Sequence, residues 1–104
     1  MNVDILIIFV NESDHIHHQS ALEFIIQRAL ELGISGASTF RAIDGFGSHH
    51  HLHPQTLLSM TDDEGAAIVV TDTSTKVDLL VESLNRAGVR ASTLRVPATR
   101  QVLG

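Results

Sequence analysis

The 104-residue chain has neither cysteine nor tyrosine. Without cysteine it has no thiol nucleophile, no disulfide and no thiolate zinc site. An excess of basic residues is missing too. Seven Lys and Arg stand against twelve Asp and Glu, and the net charge of −5 leaves no basic footprint for nucleic acid. Long apolar runs are also lacking. The opening run Ile5-Leu-Ile-Ile-Phe-Val10 has six residues where a membrane span needs about 20, and it carries neither the basic flank nor the cleavage site of a signal peptide. No nucleophile-elbow, P-loop or HExxH pattern occurs. The expectation is a cytoplasmic protein that is not an enzyme.

What is present has a globular balance. Hydrophobic residues make up 43% and charged residues 18%, which suits one domain over residues 1–104 with a single core. The seven histidines equal the Lys and Arg in number. Protonating all of them would carry the formal charge from −5 to +2, so a pH response is available in principle.

Periodicity orders the chain. Residues 3–10 are a near-continuous apolar run, as in a strand buried on both faces, or on one face and at a subunit contact. The turn-like Asn11-Glu-Ser-Asp14 and then His15-Ile-His-His18 follow. Ser20 and Glu23 have capping-box spacing, and Leu22, Ile25, Ile26, Ala29 and Leu30 form a helical stripe with Gly33 as its stop. A second strand is expected over about 35–43. A connection of some twenty residues then reaches to about Gly65, too long for an ordinary hairpin. A short helical turn over 54–59 fits inside it. Residues 66–71 read as a third strand, and Asp72-Thr-Ser-Thr75 offers N-caps for a second helix. That helix has its stripe at Val77, Leu80, Val81, Leu84 and Ala87 and ends at Gly88. Residues 89–96 make the fourth strand, closed by Pro97.

The order βαββαβ predicts a ferredoxin-like α+β fold, a four-stranded antiparallel sheet with two helices on one face. The apolar first strand implies that the other face is covered as well, by further copies of the chain.

The second strand leads into Gly45-Phe46-Gly47, whose glycines let the backbone take φ > 0 or approach a ligand closely. Ser48-His-His-His-Leu-His53 comes next. In an extended chain His49, His51 and His53 share one side, and in a helix His49 and His53 share a face. Both geometries offer imidazoles to Zn²⁺ or another divalent transition metal, and a solvated loop that binds metal weakly is the alternative. His15 and His17 repeat the spacing of two.

These landmarks resemble the PII signal-transduction proteins of the PII/CutA-like superfamily. They are Asn11-Glu-Ser-Asp14, Leu22, Gly33-Ile-Ser-Gly-Ala-Ser38, Gly45-Phe-Gly47, Leu52-His53 and Val69-Val-Thr-Asp72. The resemblance is greater to the PII-like members that lack the nitrogen-sensor signature, and it spans nearly the whole chain. It implies a homotrimer with an adenine nucleotide in the cleft between subunits. Residues 44–65 would be the T-loop that docks on a protein partner, such as a transporter or a metabolic enzyme. Bicarbonate as a co-effector is implied by relatives that serve inorganic-carbon uptake.

Two departures narrow the expectation. Between the second helix and the fourth strand, Asn85-Arg-Ala-Gly-Val-Arg90 replaces the glycine- and lysine-bearing phosphate loop. The absence of tyrosine removes control by uridylylation. Phosphate contacts are therefore assigned to Arg90, Arg95 or Arg100 with backbone N–H groups near Gly45, Phe46 and Gly47, and ADP or AMP is favoured over ATP. Ser38 stands where relatives contact the base, or is an ordinary strand serine. Arg41 reaches either the loop or the neighbouring chain, or stays at the surface. A histidine-loop metal-binding protein of the same fold is the alternative function. A small enzyme in the cleft is a third reading, disfavoured for want of paired acid and base residues.

Overall fold

The computed structural model describes residues 1–43 and 65–104. Strand β1 spans Asn2–Asn11 and is followed by two short strands, β2 (His15–Ile16) and β3 (Gln19–Ser20). Helix α1 covers Ala21–Glu31, strand β4 Gly36–Arg41 and strand β5 Gly65–Asp72. Helix α2 covers Ser74–Ala87, and strand β6 covers Ser92–Thr99. The four long strands form one sheet in the order β4-β5-β1-β6, every neighbouring pair antiparallel. Each half is a split β-α-β unit, with β5 seated between β1 and β4, and β1 seated between β5 and β6. This is the expected ferredoxin-like arrangement.

The helices start and stop where local chemistry directs them. Ser20 caps α1 by accepting from the Glu23 N–H at 3.2 Å, and Thr73 caps α2 by accepting from the Lys76 N–H at 3.3 Å. Such a cap contributes about 1 kcal/mol by satisfying an orphan donor. Gly33 at φ +73° and Gly88 at φ +84° end the helices in the left-handed region, where a side chain would be strained. The Lys76 ammonium adds a bond of 2.9 Å to the Leu32 carbonyl at the end of α1, tying the two helices together.

The core lies between the helices and one face of the sheet. Leu6, Ile8 and Val10 of β1 meet Ala66, Ile68 and Val70 of β5, with Ile25 and Ala29 of α1 and Val77, Leu80 and Leu84 of α2 above them. Burying a Leu, Ile or Val contributes about 1.5–3 kcal/mol each, so this cluster is the main source of stability. Alternation sends Ile5, Ile7 and Phe9 to the opposite face, where they pair with Val96, Leu94 and Ser92 of β6 and with Thr71, Val69 and Ala67 of β5. Phe40 of β4 joins them opposite Ala67. Among the described residues that face carries no helix, and Phe40 is 59%, Leu94 54%, Val96 47% and Phe9 44% exposed in the single chain.

Three local expectations are corrected. The fourth strand begins at Ser92 and runs through Pro97 to Thr99. Pro97 does not close it because β6 is an edge strand, where a missing N–H costs no ladder bond on the open side. The second strand ends at Arg41, short of Ile43. Leu30 is exposed and Ala21 is buried, so the buried stripe of α1 is rotated from the expected one. The histidines before α1 form a hairpin: Ile16 pairs with Gln19, so His17 and His18 are the two turn residues, at φ +51° and +65°. Both central residues of such a turn need φ > 0, which Asn-Gly supplies easily and two histidines hold at about 1–3 kcal/mol of strain each. The expected helical turn over 54–59 lies outside the described residues.

Candidate functional site at the sheet edges and loop base

The chain leaves the sheet after Arg41 and re-enters it at Gly65. The Ala42 N–H donates to the Gly65 carbonyl at 2.8 Å, closing the base of the segment between them. Glu12, just beyond β1, lies at this base, with its Oε1 2.8 Å from the Arg41 Nε. That contact is a charge pairing without hydrogen-bond alignment, since the buried Glu12 oxygen has no aligned donor. The 11–14 turn beside it is locked by the Asp14 N–H donating to the Asn11 carbonyl at 3.0 Å. The Asn11 N–H in turn donates to the Asp14 carboxylate, also at 3.0 Å. The segment expected to carry ligand contacts thus springs from a fixed neck. Gly45, Phe46, Gly47, His49, His51 and His53 themselves lie outside the described residues.

A second hub sits at the other end of β5. Asp72 Oδ2 accepts from the Ser35 N–H at 2.8 Å and Oδ1 from the Thr73 N–H at 2.6 Å, while the Ser35 hydroxyl donates to the Thr71 carbonyl at 2.8 Å. Burial pushes the Asp72 carboxyl up. Hydrogen bonds from the Thr73 and Ser35 backbone, the charge of Lys76 and the Thr73 side chain outweigh it, leaving the pKa below the ordinary value.

The remaining site candidates fall at two opposite edges. Ser38 and Arg41 are exposed on edge strand β4, Ser38 on the open apolar face beside Val69. Arg95 lies on the other edge strand, β6, with Arg90 just before it and Arg100 just after it, both exposed. With two strands between the edges, three spacings of about 4.8 Å hold these groups roughly 14 Å apart. The single chain does not bring them together.

Arg95 differs from its neighbours. Its Nε and Nη2 each lie 2.8 Å from Asp4 Oδ2, its Nη1 lies 2.7 Å from Asp78 Oδ1, and Nη2 also meets the Ser74 carbonyl and hydroxyl at 3.1 Å. The Asp78 hydrogen bond, opposed by burial and seconded by Asp4, raises the guanidinium pKa above its usual value. Arg95 therefore pins β6 to β1 and α2. Among the described contacts, Arg90 and Arg100 have no acidic partner. The backbone of Arg100 extends the β1–β6 ladder, its N–H donating to the Met1 carbonyl at 2.7 Å.

Sequence reasoning missed Asp4, Asp78, Glu12 and Asp72 as organisers. Asp4 carried a signal, being a lone acid inside an apolar strand, where burial demands a partner. Asp72 carried one as an N-terminal helix neighbour. Among the described residues no cluster of three or more His, Cys, Asp or Glu is arranged to hold a metal ion, and no helix is long and apolar enough to cross a membrane.

The split βαββαβ sheet with its two helices on one face is the fold that the chain shares with solved PII-like structures. The solved structures agree on the fold. A nitrogen regulatory PII-like protein, CPII of Thiomonas intermedia K12 bound to ADP, AMP and bicarbonate, superposes with a TM-score of 0.69 at 17% identity, covering 94% of this chain and 87% of that one. The divalent ion tolerance protein CutA1 of Ehrlichia chaffeensis gives 0.64 at 14% identity, over 97% and 85% of the two chains. The GlnK–ATP complex of B. subtilis gives 0.58 at 10%, over 94% and 85%. The chain belongs to the DUF190 family ("Uncharacterized ACR"), whose profile matches residues 3–93. A UPF0166 protein of Aquifex aeolicus (strain VF5) is 25% identical over 80 residues, 77% of this chain and 76% of that protein.

Proposed function

We propose that this chain is a trimeric PII-like signalling protein of the cytoplasm. It binds an adenine nucleotide between subunits and regulates a protein partner, such as a transporter or metabolic enzyme, through its T-loop at residues 44–65. The observation that carries this reading is the division of the candidate ligand groups between opposite sheet edges, combined with the bare apolar face. A trimer that buries the Phe9, Leu94 and Val96 face sets the β4 edge of one subunit near the β6 edge of the next, so the contact that covers the face also completes the site.

Ser38 addresses the base. Arg41 stands at the loop neck, and Arg90 and Arg100 are the arginines available for phosphate. Arg95 would have to leave Asp4 and Asp78 to reach one, which argues for a structural role in this subunit. Gly45, Phe46 and Gly47 supply loop backbone to the phosphates. With no lysine-bearing phosphate loop, ADP or AMP is preferred to ATP. The bicarbonate, ADP and AMP held by CPII support the same ligand class with bicarbonate as co-effector. The role is regulatory rather than enzymatic, as the naming of CPII as a regulatory protein supports.

Calorimetric titration with AMP, ADP and ATP, each with and without bicarbonate, tests this. The reading requires ADP or AMP to bind more tightly than ATP. Absence of binding by all three overturns it.

The fold of CutA1, a divalent ion tolerance protein, keeps a second reading in play, in which His49, His51 and His53 bind Zn²⁺ or a similar ion. Replacing all three should then abolish Zn²⁺ binding and leave nucleotide affinity intact. Undiminished Zn²⁺ binding in the triple variant removes the loop as a metal site.

A further inference from the structure

On the outer side of the helix layer, away from the bare sheet face, α1, α2 and the histidine hairpin border an open groove of about 530 Å³. This lies within the size range of small-molecule sites. The groove is polar on one side and apolar on the other. Arg28, Arg86, His17 and Ser83 supply donors, while Phe24 and Leu79 supply apolar surface. No carboxylate lines it, although the chain as a whole carries a net charge of −5. The nearest carboxylates are those of Glu31 and Glu82, 3.6 Å from Arg28 and 3.4 Å from Arg86.

Arg28 is held in place. The Arg28 guanidinium lies 5.2 Å above the Phe24 ring, with Nη1 bonded to the Ser83 hydroxyl and Nε 3.6 Å from Glu31. These contacts occupy two of its five N–H groups and leave the rest of the fork for an oxyanion. Arg86 projects from α2 with only an exposed contact to Glu82 at 3.4 Å. His17 is set against Phe24, ring centroids 6.1 Å apart, by a turn in which it holds φ +51°. His18 holds φ +65° in the same turn but does not line the groove, so of the two strained histidines His17 alone faces it.

We propose that this groove binds an organic oxyanion with an apolar body, such as an aromatic carboxylate or phosphate. The head pairs with Arg28 and Arg86, and the body lies on Phe24 and Leu79. His17 closes the end of the groove and donates to or packs on the ligand. The site is separate from the nucleotide cleft and stands or falls independently of it.

The test titrates the full-length protein with 2-naphthoate, 2-naphthyl phosphate and the neutral 2-naphthylmethanol, following amide shifts by NMR. Either anion should bind at least tenfold more tightly than the alcohol, and the tighter of the two identifies the preferred head. Arg86→Gln, at an exposed position that does not endanger folding, should weaken the anion severalfold, and the Arg28→Gln/Arg86→Gln pair by tenfold or more. His17→Gly and His18→Gly both relieve a positive-φ strain and should both raise the thermal midpoint. Only His17→Gly should weaken anion binding. The proposal is overturned if the alcohol binds as well as the anions, if Arg86→Gln binds like the parent, or if the two glycine variants bind alike.

Discussion

Arg95 and Asp4 face each other diagonally across β6 and β1, with two guanidinium nitrogens 2.8 Å from the same carboxylate oxygen. Asp78 and Ser74 bring α2 into the same clasp. Both side chains of the pair are partly shielded, so Arg95→Leu should cost about 1–2 kcal/mol, below the full range for charged hydrogen bonds because some solvent screening remains. Arg100→Ala, with no acidic partner, should stay within about 0.5 kcal/mol of the parent. Urea denaturation of the two variants checks the contrast.

Asp72 gives a pH dependence with a definite sign. Its folded pKa lies below the ordinary 3.8, so its contribution is fully present above that value and is lost as pH falls through the folded pKa. Asp72→Asn should therefore destabilise the protein at neutral pH, and the gap from the parent should close on acidification below the ordinary carboxylate range. Urea midpoints measured from pH 7 downwards follow this. A gap that stays constant with pH would mean that Asp72 acts without its charge.

The bare sheet face predicts association. Leu94→Asp places a charge opposite Ile7 in the middle of that face, on the side of β6 turned away from the helices. The parent should sediment as a trimer at micromolar concentration and the variant as a monomer with unchanged helical circular dichroism. A parent that is monomeric refutes the shared cleft.

Much of the fold was legible because its elements follow from local rules. Ser20, Gly33 and Gly88 mark helix ends by satisfying or freeing backbone groups, and the apolar run from Ile5 to Val10 announces a strand. What stayed hidden depends on partners distant in sequence. Nothing local says that Arg95 will meet Asp4 across 91 residues or that Ser35 will bond to Asp72 across 37. The hairpin at His17 and His18 was hidden for the opposite reason. Its turn breaks the usual residue preference, so the pattern that normally reveals such a turn is missing. Of the candidate site, the strand positions of Ser38 and Arg95 could be read. Their placement on opposite edges emerged only from the strand order.

Gly47 tests the loop's part in the site. If Gly47 approaches the phosphates as proposed, a Cβ there would penalise φ > 0 and fill the space of a phosphate oxygen. In a variant shown to be folded and trimeric, Gly47→Val should weaken ADP binding by at least tenfold, about 1.4 kcal/mol. Unchanged ADP and AMP affinity would reduce Gly45-Phe46-Gly47 to a turn.

The central claim is a nucleotide site that exists only between subunits, and calorimetric titration of ADP into the parent and into Leu94→Asp tests it most directly. The account predicts one ADP per subunit in the trimeric parent and no measurable binding by the folded monomeric variant. A monomer that binds ADP as tightly as the parent, or a trimer that binds none, would contradict it.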